Sequence, residues 1–153
     1  MSSSNVVRMP DMGIITDEKP PLIKPGIYDL SFVGFKTALM FSRAQKLIMQ
    51  FRVITLGEFF DVDLYRYFNV QGFCGKPGKN GRFKVGWKSD FAREYAALFG
   101  ELPKRPDRFS MSRFNEKIIR GRVSTVKVGS RQRKLHKVCQ YSVINELIEV
   151  KKI

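Results

Sequence analysis

The sequence predicts an all-β domain of five strands, with a single helix between the third and the fourth. Three observations carry this. Three segments alternate apolar and polar residues with the period of two that a half-buried strand requires, and two more are rich in β-branched and aromatic residues. One segment has apolar residues at helical spacing between a good N-cap and a glycine stop. The 153 residues, 43% of them hydrophobic and 13 of them phenylalanine, suffice for one sizeable core.

The elements follow in order. Residues 1–24 contain Ser2, Ser3, Ser4 and three prolines (Pro10, Pro20, Pro21) without a sustained period, and read as a flexible arm preceding a domain over 25–153. Ile27 to Phe35 reads as the first strand, and Gly34 within it suggests a bulge or bend. Lys36 to Gln45 reads as an irregular first loop. Lys46 to Ile54 alternates, with Leu47, Met49, Phe51 and Val53 on one face. Leu56 and Gly57 mark a turn. Glu58 to Phe68 alternates again, with Asp61, Asp63, Tyr65 and Tyr67 on the face opposite Phe60, Val62 and Leu64; Arg66 then points inward, unless a bulge near Tyr65 corrects the register. Asn69 to Lys88 holds five glycines, five basic residues and no acid, the composition of a long loop or an irregular hairpin. Ser89 caps a helix whose stripe is Phe91, Tyr95, Leu98 and Phe99; Gly100 and Pro103 end it. A basic connector runs from Leu102 to Asn115. Glu116 to Val128 alternates, placing Ile119, Gly121, Val123 and Thr125 opposite Ile118, Arg120, Arg122 and Ser124. Gly129 to Lys137 is a basic hairpin tip, and Val138 to Val150 the last strand.

Charge narrows the partner. The chain carries 28 Lys and Arg against 14 Asp and Glu, a net +14. Residues 69–153 hold 20 of the basic and 7 of the acidic residues, so nearly the whole excess lies in the second half. Such an excess disfavours compaction by self-repulsion and is relieved by a polyanion, nucleic acid before an anionic membrane surface. No apolar run approaches the ~20 residues of a membrane span, and the N-terminal residues lack the apolar core of a signal peptide. Cys74 and Cys139 are expected as the reduced thiols of a cytoplasmic protein.

Three strands, one helix and two strands is the element order of a five-stranded OB-type Greek-key barrel. With the closing run YSVINELIEV (Tyr141 to Val150), residues 25–150 resemble the OB-fold single-stranded-DNA-binding proteins of phages and mobile elements. The acidic partner-recruiting tail of the bacterial housekeeping members is missing from the sequence. The resemblance implies sequence-tolerant binding of single-stranded DNA in replication or recombination, as a homo-oligomer, through the exposed face of strands two and three and the loops between strands one and two and between four and five.

The candidate contacts are cations for phosphates and rings for bases. The first loop offers Lys36, Arg43 and Lys46; the sheet face offers Arg52, Tyr65 and Tyr67. The glycine-rich flap supplies Lys76, Lys79, Arg82 and Trp87, although Trp87, just before the helix, is as well explained by packing there. Arg120 and Arg122, two apart on one strand, form a charge ladder. The last hairpin gives Lys127, Arg131, Arg133, Lys134 and Lys137. Tyr65 and Tyr67 are equally compatible with half-buried packing, and the hairpin cations with a solvated loop.

Catalysis is not expected, nor is a cofactor. Gly78-Lys79 is followed by Asn80 rather than a hydroxyl residue, and Phe73 stands where a phosphate-binding loop needs its first glycine, so nucleotide hydrolysis is rejected. Cys74, Cys139 and the single His136 lack metal-ligand spacing. Asp61 and Asp63 share a face and carry the one alternative chemistry, a two-metal nuclease, against the simpler reading of exposed acids on a strand. Two further alternatives are an RNA-binding OB module and a phage or mobile-element protein that inhibits a host protein.

Overall fold

The computed structural model describes residues 20–40, 43–128 and 134–151. Strand β1 spans Gly26–Met40, β2 spans Ala44–Val53 and β3 spans Asp63–Asn69. Three two-residue strands follow: β4 (Gly72–Phe73), β5 (Gly78–Lys79) and β6 (Phe83–Lys84). Helix α1 covers Asp90–Phe99, and the chain closes with β7 (Ile118–Val126) and β8 (Tyr141–Val150). The main sheet has the order β3-β2-β1-β7-β8, all pairs antiparallel, with β5 added to β1; β4 and β6 pair separately. The two ends of the sheet, β3 and β8, pack side by side without a hydrogen-bonded ladder. Among the described residues the chain is therefore mainly β with one α-helix, in line with the all-β expectation.

β1 organises the sheet because it bends. Its register against β2 slips between Phe32 and Gly34, at the position where the sequence suggested a bulge. Before the slip, residues 26–31 pair with β7; after it, Lys36 and Thr37 pair with β5. The strand is also longer than its composition suggests. Lys36 to Met40, read as a loop, continues the ladder against residues 44–48 of β2, so Lys36 and Lys46 lie on strands and the connection shrinks to the few residues after Met40. Cross-strand pairing overrides the modest β-propensity of Lys, Ala and Met.

The third strand is shorter than its alternation implies. Residues 57–62 form turns closed by Phe60 N–H to Gly57 O and Val62 N–H to Phe59 O, and Asp61 adopts a left-handed φ of 74°. Pairing with β2 begins only at Asp63. No register shift interrupts that ladder, so the inward placement of Arg66 stands.

Alternation fills the core. Leu47, Met49, Phe51 and Val53 of β2 are excluded from solvent with Leu30, Leu64, Ile119 and Ile144. Ser89 Oγ accepts from Ala92 N–H at the start of α1, and Gly100, with φ 77°, ends it. The helix lays Phe91 and Tyr95 on this core, where Tyr95 meets Phe109 and Phe99 meets Phe114 edge-to-face at 4.9 and 5.0 Å. Two glycines are required by contact. A Cβ at Gly121 would lie 2.6 Å from Leu30 Cδ1, and one at Gly81 would lie 2.1 Å from Thr37 Oγ1. Of the arm, residues 20–24 are described: Ile23 is buried and exchanges hydrogen bonds with the Ser142 hydroxyl, so the docked chain begins before Pro25. Among the described residues no helix is long and apolar enough to cross a membrane.

Candidate nucleic-acid interface

The outward face of β5, β1, β2 and β3 follows from register alone. Lys79 stands opposite Lys36, Lys36 opposite Ile48 and Ile48 opposite Tyr67. Directly paired residues project to one face, so these four form a single row across four strands. Neighbouring rows on that face hold Gln50 with Tyr65 on one side and Lys46 with Asn69 on the other. Ala38 and Ile48 are buried under Met40, Tyr65 and Tyr67, a second apolar cluster on the side of the sheet away from the core.

Tyr65 and Tyr67, two apart on β3, stack with ring planes 5° apart and centroids 6.3 Å apart. Both rings are half-buried. Burial pushes both phenols up in pKa, Tyr67 the more strongly, with Tyr141 at the start of β8 and Tyr65 adding to the effect. Both therefore stay neutral at physiological pH.

Lys36 is the unusual member of the row. It has no solvent exposure, and its Nζ lacks a hydrogen-bond partner among the described residues. Burial draws its pKa down to about 7. Lys46 differs: its Nζ donates to Asn69 Oδ1.

The remaining predicted residues divide into engaged and exposed. Arg52 donates to both oxygens of Asp63 at 2.8 and 3.3 Å and lies 3.6 Å from Asp61. The two acids are thus counterions of one guanidinium, and among the described residues no cluster of three or more His, Cys, Asp or Glu is placed to hold a metal. Arg120 and Arg122 share a face, as their spacing implies, and each lies within ion-pair distance of carboxylates on neighbouring strands. Arg120 meets Glu149 at 2.9 Å and Asp29 at 3.8 Å; Arg122 meets Glu146 at 3.3 Å. Glu149 and Glu146 reach them because β8 slips register twice against β7, between Arg120 and Gly121 and between Arg122 and Val123, while Asp29 is the β1 residue paired with Arg120.

Lys76, Lys79 and Arg82 of the flap are exposed, as are Arg43, Lys127, Lys134 and Lys137. Lys127, Lys134 and Lys137 line an open cleft of about 570 Å³ with Leu135, His136 and Gln140. The next residue, Tyr141, opens β8, the strand that packs beside β3, and contributes to the raised pKa of Tyr67. His136 Nδ1 accepts from Val138 N–H at 3.3 Å and acts as a turn cap. Arg131 and Arg133 lie outside the described residues. Trp87 is 45% exposed, with its ring tilted against Phe109 at 6.2 Å. In the flap, Phe83 is a core residue against Phe91.

Arg66 takes no part in this face. It pairs with Glu94 of α1, beneath β3, and its guanidinium sits 4.1 Å over the Phe68 ring. Glu94 Oε1 also accepts from Leu147 N–H at 2.8 Å. Sequence reasoning missed Glu94 as the partner, although its place one residue before Tyr95 on the helix stripe was a signal. It missed Tyr141 altogether.

No family model, curated protein or solved structure matches this chain.

Proposed function

We propose that this chain binds single-stranded DNA, without strong sequence preference, on the outward face of β1, β2 and β3, as replication or recombination requires. The observation that carries the reading is the parallel Tyr65–Tyr67 pair, bordered by Lys36, Lys46 and Lys79 on the sheet and by the Lys127, Lys134 and Lys137 cleft beyond Tyr141. Rings offer stacking to any base, and cations follow the phosphates; each base–ring stack contributes about 1–3 kcal/mol. The exposed cations of the flap and hairpin outnumber nearby acids, which favours an anionic strand over an acidic protein patch of fixed shape.

An OB-type barrel is the architecture we infer. The order β3-β2-β1-β7-β8 is the OB order when β7 and β8 count as strands four and five, and α1 falls between strands three and four. The side-by-side packing of β3 and β8, bridged by Arg66, Glu94 and the Leu147 amide, supports closure through side chains in place of a ladder.

The test is anisotropy of a fluorescent dT oligomer against a duplex of equal length at two salt concentrations, with wild type and Tyr65→Ala/Tyr67→Ala. Tighter dT binding, weakened by salt and by the double substitution, is expected. Equal or tighter duplex binding overturns the reading, and stronger competition by an RNA oligomer than by DNA reassigns the strand.

A further inference from the structure

Lys36 is a buried base whose Nζ has no hydrogen-bond partner among the described residues. Its row on the sheet contains another cation, Lys79, then Ile48 and Tyr67. The titratable and charged groups on the elements around it are Lys79 of β5, Lys46 of β2, Tyr65 and Tyr67 of β3, and Tyr141 of β8 beyond Tyr67. Asp63, the carboxylate on this face of β3, lies two rows from Tyr67 and is held by Arg52 and Gln50. Like charges directly opposite on paired strands repel, and a buried ammonium without a counterion is disfavoured. Two lysines thus stand side by side, one of them with its head shut away from water and without a hydrogen-bond partner among the described residues.

We propose that Lys36 and Lys79 form a phosphate subsite beside Tyr67, where Lys36 Nζ, charged on ligand arrival, takes a phosphate oxygen of the bound strand and Lys79 shares its charge. The strand as the natural source of that phosphate rests on the DNA-binding reading; the anion subsite itself does not. With its pKa drawn down to about 7, Lys36 is largely neutral at slightly alkaline pH in the unliganded chain. An arriving phosphate restores the charge, so binding takes up a proton. Affinity then falls as pH rises above about 7, approaching tenfold per pH unit for one proton taken up. Arginine stays protonated throughout, and methionine never carries charge.

The experiment has two arms on the full chain at constant ionic strength. In the first, dT-oligomer affinity is measured between about pH 6 and pH 8.5 for wild type, Lys36→Arg and Lys36→Met, with His136→Gln as the control for the single histidine of the chain. Wild type and His136→Gln lose affinity as pH rises, Lys36→Arg holds its affinity, and Lys36→Met is weak and flat. In the second, the Lys36 Cε resonance, assigned from Lys36→Arg, is titrated with and without sulfate, a phosphate mimic whose charge does not change in this range. Sulfate moves the Lys36 midpoint upward. A wild-type pH profile retained in Lys36→Met, or a midpoint indifferent to sulfate, overturns the subsite. A sulfate-sensitive midpoint in a chain that binds no dT keeps the subsite and refutes the DNA reading instead.

Discussion

Arg66 of β3 and Glu94 of α1 face each other in an ion pair whose side chains are only 11% and 8% exposed. Glu94 also receives the Leu147 amide of β8, so one carboxylate joins the helix to both ends of the sheet. Two buried charges are tolerated together, but either alone is costly. Glu94→Ala leaves Arg66 uncompensated and the Leu147 N–H unpaired. It should destabilise the fold by about 3–5 kcal/mol in urea unfolding. Arg66→Met/Glu94→Leu, which removes both charges, should recover most of that loss. A double variant no more stable than Glu94→Ala would show that the pair is not the source of the effect.

The cations divide by their partners, and DNA affinity should divide with them. Arg120 and Arg122 are matched by Glu149, Asp29 and Glu146, whereas Lys127, Lys134 and Lys137 line an open cleft. Counterion release requires a cation that meets phosphate, and each such contact on a single strand contributes about −0.7 to the slope of log K against log salt. Lys127→Gln/Lys134→Gln/Lys137→Gln should flatten the slope by about 2. Arg120→Gln/Arg122→Gln should change it little. The reverse ranking would place the binding track along β7 rather than the hairpin.

Much of the main sheet was legible because alternation is a local signal. Leu47, Met49, Phe51 and Val53 declare their face without any knowledge of partners, and so do Tyr65 and Tyr67. Arg66 looked like an error in that pattern only because its counter-charge, Glu94, comes 28 residues later on another element. Arg120 and Arg122 looked available for the same reason: two register slips in β8 decide what they face, and slips leave no periodic trace. Lys36 reads as a loop residue from its sequence neighbours because the pairing that makes it a strand residue is with β2 and β5.

Gly81 is held against β1 more tightly than any side chain permits. Its missing Cβ would meet Thr37 Oγ1 at 2.1 Å and the Gly78 carbonyl oxygen at 3.0 Å, and the same Thr37 oxygen accepts from Gly78 N–H at 3.2 Å. Gly81→Ala forces either the Thr37 hydroxyl or the flap backbone to shift, disturbing that bond. A cost of about 1–3 kcal/mol is expected from overpacking. Thr37→Ala, which removes the obstructing hydroxyl, should make the double variant less destabilised than the sum of the singles. Strict additivity in urea unfolding would exclude the contact.

Lys36 should also set how stability depends on pH in the absence of any ligand. Its folded pKa is about 7, against about 10.4 for an unfolded lysine. Below the lower value both states carry the proton, and the fold bears the whole penalty of a buried charge. Between the two values the unfolded chain binds more protons than the folded one, so stability climbs with pH, by up to about 1.4 kcal/mol per unit. The tyrosines act oppositely and later: the raised pKa values of Tyr65 and Tyr67 remove stability once unfolded phenols ionise near about pH 10. The clean window is therefore about pH 7 to 9.5. Urea unfolding across it should show a rising free energy in wild type and no such rise in Lys36→Met, which should be the more stable protein near about pH 6. Equal slopes in the two proteins would mean that the Lys36 ammonium reaches water in solution, since only a group whose proton affinity changes on folding can produce the difference.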